Sequence, residues 1–250
     1  MKKIVLFICL SVAFISCKKE KALIFSTKNY DLKSDVNCIK ENCTYIHLEI
    51  PVATGNETVS KPINDTIFGF VNSLLRFTDD PKTTSYDSLT KYFINQYEDL
   101  NKTYPSSVAW EATFKVSQKE LSAQTHQIVW DYYLFTGGAH GLQAKKVYFF
   151  DIKTGKTITT KDLFLNYQGF KNYAETEFEK QLNITGTYAE AGFTFPKNTF
   201  ELPENLYETK GEWILYYNPY EIAPYVQGAS IVKLPKEKVS DFLNPIYFKN

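Results

Sequence analysis

The chain has 250 residues, 28 basic and 28 acidic, and 16% of them are aromatic. That length suits one large domain or two small ones. The charge balance of zero argues against nucleic acid as a partner, which wants a basic face, and against polybasic adhesion to anionic lipid.

Met1-Lys2-Lys3 precedes an apolar run from Ile4 to Ile15. The run is shorter than the about 20 residues that span a bilayer, so residues 1–16 read as a secretory signal. Phe14-Ile15-Ser16-Cys17 resembles the bacterial lipobox, with Phe14 where Leu is usual. The resemblance implies that the Cys17 thiol receives diacylglycerol and becomes the first residue after cleavage. The alternative is an ordinary secretory signal with an incidental Cys17. No later segment approaches spanning length, so membrane attachment is expected through the lipid on Cys17 alone. The polar stretch behind it, Lys18-Lys19-Glu20-Lys21, lacks the Asp associated with inner-membrane retention. The expected location is the outer membrane, facing the periplasm.

Residues 17–36 read as a lipid-anchored tether. Cys38 and Cys43 then stand with four residues between them in an oxidising compartment, where a turn between two strands would join them as a disulfide. A redox or metal pair is the alternative, disfavoured because no further Cys is available and the three His are scattered. Tyr45 to Ile50 alternates as a half-buried strand, with a loop expected from Pro51 to Ser60. Pro62 opens a helical stripe of Ile63, Ile67, Val71, Leu74 and Leu75. A second helix is predicted from Ser88 to Lys102. Val108 to Ser117 alternates as a strand. Ile128 to Phe135 is apolar on both faces and reads as a central one. Gly137-Gly138-Ala139-His140-Gly141 breaks it, and a strand from Lys145 to Asp151 follows. A helix is predicted from Thr160 to Leu182, with Asp162 near its start. Strands at Trp213–Tyr217 and Ser230–Leu234 and a short helix from Pro235 complete the pattern. Strands without regular βαβ alternation imply an α+β fold of mainly antiparallel sheets, helices packed on one face, in two successive subdomains.

Three segments are specific: Phe135-Thr136-Gly137-Gly138-Ala139-His140-Gly141; Phe149 to Lys156 with Asp162-Leu163-Phe164; and Tyr216-Tyr217-Asn218-Pro219-Tyr220-Glu221-Ile222-Ala223-Pro224-Tyr225 before Gly228. Together they resemble the DUF3298 domain, over about residues 130–245. The stretch before it takes the place of a DUF4163 domain. The expected division is residues 37–135, DUF4163-like, and 136–250, DUF3298-like. The family includes the outer part of a lysozyme-sensing anti-sigma factor, modules ahead of peptidoglycan deacetylase domains, and bacterial lipoproteins. This chain is expected to lack both the sigma-binding segment and the deacetylase domain. The resemblance therefore implies a non-catalytic envelope module that binds or senses a protein, lysozyme-like among them, or peptidoglycan glycan.

Gly137, Gly138, His140 and Gly141 form either a site with exposed backbone N–H groups or a tight turn, the latter preferred. Tyr216, Tyr217, Tyr220 and Tyr225, beside Asn218 and Glu221, either grip a sugar ring or partner loop, or pack an ordered connection. The competing functional reading is a weak cell-wall glycan hydrolase or deacetylase, with His140 and Glu221 in one cleft. No metal-site or nucleophile motif accompanies these residues, and no cofactor is expected. His47 and His126 read as solvent-facing or hydrogen-bonded residues rather than ligands.

Overall fold

The computed structural model describes residues 21–38, 42–78, 83–105 and 108–249. The expected signal and Cys17 lie outside these described residues.

Residues assigned to a tether form a strand instead. β1 (Ile24–Lys33) pairs antiparallel with β2 (Tyr45–Thr54) along its whole length. The reason is position: β1 is a sheet edge, so only Phe25, Tyr30 and Leu32 lean on the core while Lys28, Asp31 and Lys33 face water. Charged residues on an edge also discourage pairing with other chains. The Cys38–Cys43 disulfide lies in the β1–β2 connection.

Ile46, Leu48 and Ile50 of β2 point into the core as their alternation requires. The strand runs on to Thr54, through Pro51. Pro is tolerated there because β2 stops pairing with the next strand at Leu48 and becomes one-sided. α1 spans Glu57–Leu75, so it starts five residues before Pro62. The start is set by Asn56, whose side chain accepts from the Thr58 N–H. Pro62 therefore sits inside the helix. Ile63, Ile67, Val71 and Leu75 make its buried stripe. α2 (Tyr86–Thr103) opens at Ser85, whose hydroxyl accepts from Ser88 N–H while Ser88 accepts from Ser85 N–H.

The two helices form the crossover that a parallel pair needs, and β3 (Glu111–Glu120) lies parallel to β2. β4 (Thr125–Phe135), β5 (Leu142–Asp151) and the two-residue β6 (Thr157–Ile158) follow antiparallel. The six strands lie in chain order. α3 (Tyr167–Gln181) begins later than the expected Thr160. Asp162 is spent in a turn, accepting from the Thr159 hydroxyl, and Asn166 caps the helix by accepting from Gly169 N–H. A second sheet, β7 (Asn205–Thr209), β8 (Glu212–Tyr217) and β9 (Ser230–Pro235), is antiparallel. Two short helices close the chain, α4 (Lys236–Ser240) and α5 (Pro245–Phe248).

The fold is α+β with two successive cores. α1 and α2 cover one face of the first sheet, where Ile128, Trp130, Ala144 and Phe150 point. The alternate residues Val129, Val147 and Phe149 point into the second core with α3, β8 and β9. β4 and β5 thus serve both cores, and the boundary expected at 135/136 falls between two adjacent strands of one sheet.

Side-chain amides join the sheets. Gln127 bonds both the N–H and the C=O of Glu208, at 2.7 and 2.9 Å. Asn218 does the same to Lys145, at 2.7 and 3.0 Å. Asn205 accepts from Val147 N–H at 3.0 Å. Each fills a strand position that no neighbouring strand reaches, as buried backbone groups require.

Candidate functional site

The β4–β5 connection carries the glycine-rich words. Gly137 and Gly138 have φ of 101° and 100°, values that disfavour any side chain. Gly141 is buried, and a Cβ there would run into the Tyr133 ring. His140 stays exposed between them. Its Nδ1 lies 3.1 Å from Gly141 O, which assigns the proton to Nδ1 and leaves Nε2 to accept from the Tyr220 hydroxyl at 3.3 Å. The imidazole stacks on the Tyr225 ring, centroids 3.8 Å apart and planes within 14°. The Tyr225 hydroxyl donates to Gly141 O at 2.9 Å, so the two loops brace each other.

The β8–β9 connection supplies the tyrosines. Asn218 to Glu221 closes a turn through Glu221 N–H to Asn218 O, with Pro219 second and Tyr220 third at φ 71°. That is the pattern of a type II turn, whose third position normally takes Gly or Asn. The Tyr220 side chain stands 62% exposed. Both Glu221 oxygens accept backbone N–H groups, from Glu204 and Asn218, each at 2.8 Å. Burial raises the Glu221 pKa, and those two bonds oppose the rise. Glu221 is therefore a clamp, and so is Asn218. Tyr217 is buried in the second core, its hydroxyl donating to Glu201 O, and burial pushes its pKa well up.

Of the residues singled out in the sequence, His140, Tyr220 and Tyr225 meet at the surface. Gly137, Gly138 and Gly141 shape the bend beneath them. Tyr217, Asn218 and Glu221 hold the second loop from inside.

Beside this cluster lies an open depression of about 570 Å³, lined by Gln143, Tyr216, Pro219, Tyr225 and Val226 among others. Val226 is 93% exposed at its rim. The Lys145 ammonium lies 5.2 Å from the Tyr216 ring centre and pairs with Asp131 at 2.5 Å. Tyr216 belongs to the tyrosine group singled out in the sequence; sequence reading missed Gln143, Lys145 and Val226. The parity of β5 could have flagged the first two, because Gln143 and Lys145 alternate with the buried Ala144. His47 and His126 lie elsewhere. His47 bridges Asp31 and Glu49, while His126 is buried against the Phe25 ring. Among the described residues no three His, Cys, Asp or Glu are grouped to hold a metal.

Residues 161–237 match the family model described as a protein of unknown function, DUF3298. The chain carries a DUF3298 domain. That match starts later than the resemblance read over 130–245, and the TGGAHG words fall in a second match. Residues 38–143 match the model described as Deacetylase PdaC, where the sequence had suggested a DUF4163 domain. Over 236 residues, 88% of the chain, it is 22% identical to the peptidoglycan-N-acetylmuramic acid deacetylase PdaC of Bacillus subtilis (strain 168), and covers 47% of that protein. The chain thus spans about half the length of this relative. Two crystal structures share the fold of this chain. A family member from Bacteroides fragilis superposes with a TM-score of 0.63 at 16% identity, covering 92% of this chain and 98% of that one. One from Pseudomonas aeruginosa gives 0.60 at 20% identity, with coverage of 92% and 99%.

Proposed function

We propose that this chain is a non-catalytic cell-envelope lipoprotein, held by a lipid on Cys17 at the outer membrane facing the periplasm, that binds peptidoglycan glycan through His140, Tyr220 and Tyr225. One observation carries the reading: an exposed aromatic cluster is held rigid by paired loops beside an open depression. Aromatic faces with polar tips suit sugar rings, since they bury apolar area at little cost in side-chain freedom. The likeness to the Bacillus peptidoglycan-N-acetylmuramic acid deacetylase supports peptidoglycan as the polymer. A protein partner, lysozyme-like among them, engages the same surface in the second form of this reading. The hydrolase or deacetylase alternative uses His140 with Glu221, and it is disfavoured by the two backbone N–H groups that occupy the Glu221 oxygens.

Co-sedimentation of the full chain with purified peptidoglycan sacculi tests the reading. Binding is expected, and Tyr220→Ala is expected to weaken it about tenfold or more while the fold persists. Sacculi that sediment without the chain contradict the glycan form; capture of an envelope protein that depends on Tyr220 would then support the protein form. Cys17→Ser is expected to move the chain from the membrane fraction to the soluble one.

A further inference from the structure

Backbone groups of an antiparallel strand point alternately toward one neighbour and the other. On the side of β5 away from β4, Lys145 gives both N–H and C=O to Asn218, Val147 gives its N–H to Asn205, and Phe149 pairs with Ile158 of β6. The same parity turns the N–H and C=O of Gln143, which faces Tyr133 across β4, outward to that side. One step further, Gly141 O already accepts from Tyr225. Gln143 is thus an opening one residue long in a row occupied on both flanks, and among the described residues no partner fills it. It opens into the depression lined by Tyr216, Tyr225 and Val226.

An adding peptide strand needs several consecutive open positions, which this edge does not offer. The slot instead fits one compact group that sets a donor beside an acceptor, as the Asn218 amide does two residues away. We propose that it is a subsite for the acetamido group of an N-acetylated amino sugar; this rests on the glycan reading above. The acetamido N–H donates to Gln143 C=O. The oxygen on the neighbouring ring carbon accepts from Gln143 N–H. The acetyl methyl lies in the depression against Tyr216 and Val226, and the ring face lies on Tyr225. The volume of about 570 Å³ falls within the range of roughly 300–1,000 Å³ usual for small-ligand sites.

Calorimetric titration of the full chain with tetra-N-acetylchitotetraose and with cellotetraose tests this, because the two differ by an acetamido or hydroxyl group on each ring. The acetylated sugar is expected to bind at least about tenfold tighter, from one added N–H bond and one buried methyl per subsite. Equal affinities overturn the subsite and leave the glycan reading standing. Binding of neither sugar overturns it too, and the sacculus measurement then judges the wider reading alone. Gln143→Pro deletes the outward N–H without touching the β4 ladder, so it suits an edge position. It is expected to keep the melting profile and weaken the acetylated sugar about tenfold. A folded Gln143→Pro chain with unchanged affinity overturns the assignment. If that variant does not fold, the two sugars on the unaltered chain still decide.

Discussion

Tyr220 holds a backbone conformation, φ 71°, that costs a non-glycine L-residue about 1–2 kcal/mol. Its ring recovers little of that by packing, since it is largely in water and its aromatic contacts among the described residues are with His140 and Tyr225. A residue kept where Gly is cheaper is best explained by what its side chain does outside the fold. Tyr220→Gly is therefore expected to raise stability by about 1 kcal/mol in chemical denaturation while it lowers affinity for sacculi. A variant that loses stability would mean that the ring serves the fold. The candidate words at 140 and 220 were legible, because glycine-rich and tyrosine-rich runs stand out. Their meeting across 80 residues of sequence was not. Nor was the sorting of buried Tyr217 from exposed Tyr220, which depends on where β8 stops pairing with β9.

Among the elements, the amide bridges decide how firmly the second sheet holds the first. Asn218→Ala leaves the Lys145 N–H and C=O without their partner and frees the β8–β9 loop. It is expected to cost about 1–3 kcal/mol in urea unfolding, and to loosen the Tyr220–Tyr225 loop as seen by faster amide exchange there. No loss of stability would mean that water replaces the amide at no cost. β4 was legible as a central strand because Ile128 and Val129 demand apolar surroundings on opposite faces, and the two cores supply them. β1 was illegible for the converse reason, since an edge strand needs few apolar residues. The start of α1 was hidden by Pro62, which reads as a first-turn residue until Asn56 is seen to cap the helix. The opening at Gln143 depends on β6 being only two residues long, and no local pattern announces that.

At the scale of the whole molecule, β4 and β5 tie both cores together, so a perturbation there is felt by the global stability. His126 on β4 lies buried under Phe25 and 3.4 Å from the Gln118 side chain, and burial lowers its pKa to about 4. In the unfolded chain it returns to about 6.5. Between those values the unfolded state binds the proton and the folded state does not, so stability falls as pH drops from about 6.5 to about 4. The loss is on the order of 2 kcal/mol. Urea midpoints of the parent chain and His126→Gln across that window should diverge. Parallel curves would show that His126 takes up its proton without unfolding. The same shared layer makes the His140–Tyr220–Tyr225 surface a rigid one, presented by loops from both sheets.

Amide hydrogen exchange of the full chain, with and without soluble peptidoglycan fragments, tests that surface most directly. The account predicts slowed exchange concentrated in residues 136–145 and 218–231, with β1 and the α1–α2 region unchanged. Protection confined to β1, α1 or α2, with none in those two loops, would contradict it.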